Sequence, residues 1–344
     1  MRTCTWAPTV FQGTQVVERK TTPSSIPSGE DLYGLTTGLV QQYEALGYSD
    51  LLIAQRWWGS GTDIEASSLD CLAMTSAFAA CTQHMNLITA IHPGFFQPTV
   101  IAKWAATLSR MTGGRWSINV TSGWNMQEFE MYGIDQLQHD QRYLRSAEFI
   151  QVLRQAWTET EFTFNGNFYH ADQLRVEPRP VGNLEVFQGG QSTAAINMAA
   201  AHSDWMFLNG GSPERVGNII NQVRKAAAAS GRQVRFAMYA IPLCRPSDAA
   251  AWEEIDAMLA SVDQALLAQR QARLARGAKG MWQGDDDALG ALDTNEGYVP
   301  RLIGSPETIA ERVQLYRNLG VEMLHLDARD TLFNQEVLPW LSSL

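Results

Sequence analysis

The chain has 344 residues, of which 45% are hydrophobic and 18% charged, and its formal net charge is −10 at pH 7. This composition is that of a globular protein with a large core, and it excludes a disordered chain. No run of Lys or Arg compensates the acidic balance, which argues against nucleic acid or an anionic membrane as the main partner.

Short apolar segments alternate with helix-length amphipathic segments along almost the whole chain. The predicted strands are 5–10, 50–54, 85–91, 116–121, 184–188, 204–208, 234–243 and 322–326. The predicted helices between and after them are 34–46, 67–81, 99–111, 141–158, 194–201, 213–229, 306–319 and 333–341. Such alternation is typical of parallel strands joined by helical crossovers. Eight units predict one α/β domain over 1–344, a (β/α)8 TIM barrel, with a doubly wound open sheet as the alternative.

Two segments interrupt the alternation. The segment 162–180 is typical of a β-hairpin, with Asn165 and Gly166 as a two-residue turn. The segment 249–300 is long for a barrel crossover, and we interpret it as a helix to about Ala275 followed by a mobile loop near 275–300. A glycine-rich loop of that length is a candidate lid over a binding site.

Several classes of site and location are disfavoured. The four cysteines show no CxxC spacing and the six histidines form no HxxxH or HxH pair, so we expect no protein-bound metal. No window contains 18 consecutive apolar residues, so the sequence predicts no transmembrane helix. The first residues lack the pattern of a secretory signal, and we therefore expect a cytoplasmic protein.

Polar residues gather just beyond the predicted strands, where a barrel places its ligands. Asn119 ends one strand and is followed by a Ser-Gly turn and Trp124, while His92 follows another. A third strand is followed by Gly189, Gly190 and, at the start of a helix, Ser192. Glycines and a hydroxyl at a helix amino end suit a phosphate, although Ser192 as an ordinary N-cap is an alternative.

The helix after the Trp124 loop begins near Arg142 and Tyr143, which offer a cation and a phenol to the same anion. The alternative is a solvated Arg with a Tyr that packs under the helix. Several tryptophans also fall in predicted loops rather than on helix faces, namely Trp57, Trp58, Trp124 and Trp282. Aromatic loops over a barrel mouth suit a flat apolar ligand such as a flavin or its substrate.

These motifs occur together and in a fixed order. They are the run from Asn119 through Trp124 to Glu128, the His139-Asp-x-Arg142-Tyr143 run, the Phe187-to-Ser192 run, and the segment 302–312. In this order the chain resembles the bacterial luciferase-like FMN-dependent monooxygenases over about residues 6–339. Within that superfamily it is most similar to the group of dimethylsulfone and alkanesulfonate monooxygenases.

The resemblance implies an enzyme that uses reduced FMN and O2 to oxygenate a small organic substrate, most directly an organosulfur compound whose C–S bond is cleaved. It implies two components, because a separate NAD(P)H-dependent flavin reductase delivers the reduced flavin. It also implies a homodimer or homotetramer. The alternatives are oxygenation of a C–N bond or a carbonyl, a deazaflavin-dependent dehydrogenase on the same barrel, and a flavin-binding protein without activity.

The resemblance also assigns roles to individual residues. It implies a role for Trp124 as a wall of the oxygen pocket, and we also expect a catalytic role for Asn119. His92 stands where the dimethylsulfone enzymes have an apolar residue. By its residue type it is a candidate proton donor or acceptor, with a purely structural histidine as the alternative. The resemblance implies flavin contacts from Ile53, Ala54, Asn119 and Glu128, and phosphate contacts from Arg142, Tyr143, Gly190 and Ser192. The run Tyr239-Ala240-Ile241 stands where the alkanesulfonate enzymes project Arg and His, which disfavours an anionic sulfonate substrate.

Overall fold

The computed structural model describes residues 1–11, 16–17, 26–59, 67–277 and 287–344. Eight parallel strands form a closed barrel in which each strand pairs with its neighbours in the chain and the last pairs with the first. They are β1 Arg2–Trp6, β2 Asp50–Ile53, β3 Asn86–Ile91, β4 Trp116–Val120, β5 Val186–Gly189, β6 Trp205–Leu208, β7 Arg235–Ala240 and β8 Val321–Leu326. The predicted TIM barrel is therefore confirmed, and the open-sheet alternative is wrong.

The first predicted strand, 5–10, is displaced from its observed position. The barrel strand ends at Trp6, and Val10–Phe11 instead forms a short antiparallel pair with Ser67–Ser68. Pro8 separates the two stretches, and a proline has no N–H to donate to a continuing ladder.

Helices cover the outside of the barrel and cross between the strands. The described helices are α1 Gly29–Leu46, α2 Cys71–Cys81, α3 Pro98–Thr112, α4 Met126–Met131, α5 His139–Thr158, α6 Thr193–His202, α7 Pro213–Ala228, α8 Asp248–Ala260, α9 Gln264–Gly277, α10 Pro306–Leu319, α11 Thr331–Glu336 and α12 Leu338–Ser343. Helix α3 shows how the sequence sets these bounds: Pro98 occupies its first turn and Gly113, with a φ of 68°, ends it. Within the described ranges no helix is long and apolar enough to cross a membrane.

The interior of the barrel is filled at the amino ends of the strands. The rings of Phe187 and Trp205 stack there with centroids 5.3 Å apart. Arg2 and Arg235 both lie over the Trp205 ring, at 5.0 and 3.9 Å from its centroid. Glu185 pairs with both guanidinium groups, at 2.7 Å for Arg2 and 3.4 Å for Arg235. Among the described residues, the cavity that this plug leaves inside the barrel lies towards the carboxyl ends of the strands.

The predicted hairpin is present, but its turn is longer than predicted. Phe162–Asn165 pairs antiparallel with His170–Leu174, and Asn165 lies opposite His170. A four-residue loop, 166–169, therefore replaces the predicted two-residue turn. The loop is held by the carboxylate of Glu148, which accepts the backbone N–H groups of Asn167 and Phe168, each at 2.8 Å. The Glu148 side chain, on helix α5, therefore stabilises a loop conformation that the loop's own sequence does not specify.

The long segment after β7 contains two helices rather than one. Helix α8 ends at Ala260, and the Asp263 carboxylate accepts the N–H of Ala265 at 2.9 Å to begin α9. Residues 278–286, which include Trp282, lie outside the described residues. Residues 287–300 form a 3-10 turn at Ala288–Ala291 and bury Leu289 and Tyr298. The carboxyl half of the predicted loop is therefore packed, and lid motion stays a prediction.

We predict that Glu148→Ala lowers the free energy of unfolding by about 1–3 kcal/mol, because two loop N–H groups lose a charged acceptor. Urea unfolding followed by circular dichroism measures this. Glu159→Ala, an exposed residue at the end of the same helix, is the matched control. Equal stability of the two variants would show that the loop does not depend on Glu148.

Candidate active site

A cavity of about 600 Å³ opens at the carboxyl ends of the barrel strands. Four of the predicted site residues line it: Ala54 after β2, His92 after β3, Asn119 at the end of β4, and Trp124 in the loop beyond β4. Its volume lies in the range of sites for cofactors and small ligands. The structure thus brings together all three predicted catalytic residues and two of the predicted flavin contacts.

Asn119 and Trp124 form one wall. The Asn119 amide oxygen is buried and has no hydrogen-bond partner among the described residues. The chain then turns at Gly123, which has a φ of 90°, and a Cβ there would lie 2.5 Å from the Phe129 ring. Only glycine fits this turn, which sets Trp124 edge-on against Trp58 with ring centroids 5.1 Å apart.

His92 and Glu128 meet beside this wall. The Nδ1 atom of His92 lies 3.3 Å from a carboxylate oxygen of Glu128, and both side chains are buried. The other Glu128 oxygen accepts the backbone N–H of Trp57 at 3.0 Å. Glu128 does not line the cavity, because it stands behind His92 on the short helix α4, which was not predicted. Ile53, another predicted flavin contact, lies in the outer core between the barrel and its helices.

Tyr143, Gly190 and Ser192 converge at the amino end of α6. The Tyr143 and Ser192 side chains form a hydrogen bond, and a Cβ on Gly190 would lie 2.6 Å from the Tyr143 hydroxyl oxygen. Ser192 is also the N-cap, since its Oγ accepts the N–H of Ala195 at 3.2 Å. The two interpretations of Ser192 are therefore compatible. Arg142 donates to the carbonyl oxygen of Gly123, at the border of the Trp124 wall.

The inner end of the cavity carries residues that the sequence analysis missed. His325 on β8 is surrounded by the rings of Trp6, Tyr239 and Phe207, with centroids 4.3, 5.1 and 5.7 Å away. Burial lowers the pKa of His325 to about 3. Its Nε2 atom has no hydrogen-bond partner within the described part of the chain. The site therefore contains a neutral imidazole in an aromatic setting.

Charged residues also border the cavity, namely Arg56 after β2 and four that were not predicted, Arg270, Asp293, Asp327 and Arg329. Arg329 pairs with Asp327, with 2.7 Å between Nε and a carboxylate oxygen. Arg270 donates to the carbonyl oxygen of Ala291 at 2.8 Å. Much of this charge is thus engaged within the protein. Among the described residues, no group of three His, Cys, Asp or Glu side chains is arranged to hold a metal ion.

Comparison with known proteins agrees with this geometry. Residues 9–323 match the family described as luciferase-like monooxygenase. The chain is 36% identical over 322 residues to the FMNH(2)-dependent dimethylsulfone monooxygenase of Pseudomonas fluorescens (strain Pf0-1), covering 89% of this chain and 86% of that protein. It is 33% identical to the protein of the same name from Pseudomonas putida, covering 89% and 87%.

In fold, the chain is similar to the crystal structure of long-chain alkane monooxygenase, with a TM-score of 0.81 and 17% identity over 100% of this chain and 91% of that one. The chain belongs to the bacterial luciferase-like monooxygenase family. The family and the enzyme class predicted from the sequence are confirmed.

The buried neutral His325 makes stability depend on pH. Its pKa is about 3 in the folded state and about 6.5 in the unfolded state. Between these values only the unfolded state binds the proton, so stability is greatest above the unfolded pKa and falls as the pH drops towards the folded one. We predict that His325→Phe reduces this slope by about 1.4 kcal/mol per pH unit.

Urea unfolding at several pH values between about 4 and 6 measures the slope. His84→Gln, which changes an exposed histidine, is the control and should leave the slope as in the wild type. A slope in His325→Phe equal to the wild-type slope would mean that His325 is protonated in the folded protein.

Proposed function

We propose that this protein is a two-component monooxygenase that uses reduced FMN and O2 to oxygenate a small organosulfur compound with cleavage of its C–S bond. The observation that carries the proposal is the cavity lined by Asn119, Trp124 and Gly189, because Gly189 lies three residues before the helix amino end at Ser192. The names of the two relatives, both FMNH(2)-dependent dimethylsulfone monooxygenases, support it.

The residues present fit a flavin mononucleotide. Asn119 leaves a buried amide oxygen without a partner among the residues that the structure describes, which suits an N–H donor of a flat heterocycle. Gly190, with a φ of 119°, lets the Tyr143 hydroxyl approach the backbone just before α6, where a Cβ would lie 2.6 Å from it. There Ser192, Tyr143 and the nearby cation of Arg142 would hold the phosphate. Ala54 would contact the ring from the end of β2.

Reduced FMN, when bound, supplies the electrons that activate O2. The contribution of the chain is to bind, to exclude water and to orient. Trp124 and Trp58 form an apolar wall beside Asn119, and the aromatic residues around His325 keep the inner cavity dry. His92, which lines the same cavity, is the candidate group for moving a proton.

The inner cavity favours a neutral substrate. His325 is uncharged at neutral pH because burial lowers its pKa to about 3, so it offers a hydrogen bond but no positive charge. Trp6, Phe207 and Tyr239 surround it with apolar surface. A sulfonyl oxygen in a dialkyl sulfone matches this inner end, whereas an anionic sulfonate placed there would lose its hydration without gaining an opposite charge from His325.

We further propose a separate NAD(P)H-dependent flavin reductase as the partner that supplies reduced flavin. The chain contains no GxGxxG motif for a nicotinamide cofactor. A homodimer or homotetramer in the cytoplasm is the corresponding proposal for assembly and location.

The activity is tested by O2 consumption with FMN, NADH and any competent flavin reductase, against a panel of sulfones, sulfonates, amides and ketones. We expect turnover with a small sulfone and none with NADH alone. Preference for an amide or ketone would move the assignment to oxygenation at a C–N bond or a carbonyl. Turnover without O2 would assign a deazaflavin-type dehydrogenase.

We predict that Arg142→Ala weakens binding of reduced FMN by about 1.5–3 kcal/mol, the scale of a charge-assisted hydrogen bond. Riboflavin, which lacks the phosphate, should bind the variant and the wild type equally. Anaerobic fluorescence titration measures both affinities. Arg154→Ala, on the same helix but paired with Asp204, is the control. Equal losses for FMN and riboflavin would assign Arg142 to the structure of the loop rather than to the phosphate.

A further inference from the structure

We propose that Glu128 is a positioning residue that fixes the tautomer of His92. In this arrangement His92 donates its Nδ1 proton to Glu128 and presents the lone pair of Nε2 to the ligand in the cavity. His92 is then a hydrogen-bond and proton acceptor rather than a donor. The catalytic consequence rests on the proposed function, whereas the tautomer does not.

The two side chains form an isolated buried pair. Their relative exposures are 4% for His92 and 0% for Glu128. Neither Nδ1 of His92 nor Oε2 of Glu128 has another hydrogen-bond partner within the described residues, and these two atoms are 3.3 Å apart. Because a buried polar atom without a partner is costly, each is the natural partner of the other.

The remaining Glu128 oxygen is already engaged. It accepts the backbone N–H of Trp57 at 3.0 Å, which anchors the carboxylate at the end of β2. Asn125 begins α4 by accepting the N–H of Gln127, and this short helix presents Glu128 towards the barrel. The carboxylate is thus held from two sides, and its second oxygen is aimed at the imidazole.

His92 is also held in place, through both its backbone and its ring. Its backbone N–H donates to the side-chain oxygen of Gln55 at 2.8 Å. The Phe129 ring lies almost parallel to it, at an interplanar angle of 4° and a centroid distance of 6.2 Å. Phe95 packs edge-on at 6.2 Å. Turning the ring over would keep these packing contacts but would lose the 3.3 Å approach of Nδ1 to Glu128, so the carboxylate decides which ring nitrogen faces the cavity.

The chemistry of the pair follows from what a carboxylate can do. An ionised carboxylate only accepts hydrogen bonds, so Nδ1 must carry the hydrogen. Neutral His92 then has its lone pair on Nε2. A proton from an O–H or N–H of the ligand can move to Nε2 while the electrons of the broken bond stay on the ligand. The carboxylate stabilises the positive charge that forms on the ring.

This arrangement differs from a direct contact between Glu128 and the flavin. Glu128 is separated from the cavity by His92, so its removal should alter the protonation of His92 and not the affinity for flavin. Glu128→Gln separates the two roles. Its amide oxygen can still accept from Trp57, which turns the NH2 group towards Nδ1 and forces the opposite tautomer, with the hydrogen on Nε2.

The tautomer is measured directly by NMR of the full-length protein with 15N-labelled histidine, without flavin, at about pH 8, above the ordinary range of histidine. His92→Gln identifies the signals of His92. We expect hydrogen on Nδ1 in the wild type and on Nε2 in Glu128→Gln. Glu130→Gln, an exposed carboxylate on the same helix, should leave the wild-type tautomer.

Kinetics supply the second measurement. Glu128→Gln and His92→Gln should each lower kcat by about 100-fold or more, the lower range for a lost proton transfer, with reduced-FMN affinity unchanged. Hydrogen on Nε2 in the wild type, or an unchanged tautomer in Glu128→Gln, overturns the proposal. Absence of FMN-dependent oxygenation in the wild type would overturn the proposed function and leave the tautomer result standing.

Discussion

The plug at the amino end of the barrel is the constraint on which the rest of the structure depends. Two guanidinium groups, those of Arg2 and Arg235, lie over the ring of Trp205, and Glu185 pairs with both. A closed eight-stranded barrel has an interior that side chains just fill. Because large rings and an ion network fill one half, the open volume lies at the carboxyl end, where the loops bring polar groups.

Much of this architecture could be predicted from the sequence because barrel strands are buried on both faces. Such strands are continuous apolar runs, and the intervening helices show a separate period. The same property hides part of the site. His325 and Leu324 are both buried, so the sequence does not reveal that His325 faces the interior while its neighbour faces the helices. His325 is in register with Cys4 and Tyr239 on the adjacent strands, and this pairing shows that its side chain faces the barrel interior.

Residues whose role is local could be interpreted from the sequence, whereas the roles of residues with distant partners could not. Gly123, Trp124 and Ser192 belong to a turn and a helix cap that a few neighbouring residues in the sequence specify. Glu148 and Glu128 instead hold backbone N–H groups far along the chain, in the hairpin loop and at the end of β2. The residues near either glutamate in the sequence do not indicate which backbone N–H groups it will accept. Side-chain acceptors of this kind therefore appear only when the fold is known.

The cavity is lined by two histidines in different electrostatic environments, so its inner end and its side wall differ in how they interact with charge. His325 is surrounded by aromatic rings, and burial lowers its pKa to about 3, so it stays neutral. His92 stands against the carboxylate of Glu128, which can support a positive charge on the ring. Under the proposed function, a ligand between them would meet a neutral polar group at the inner end and the proposed proton acceptor at the side. Under the proposed function, charge that develops during the reaction would be stabilised beside His92 and disfavoured at the inner end, so the reacting part of the ligand would face His92.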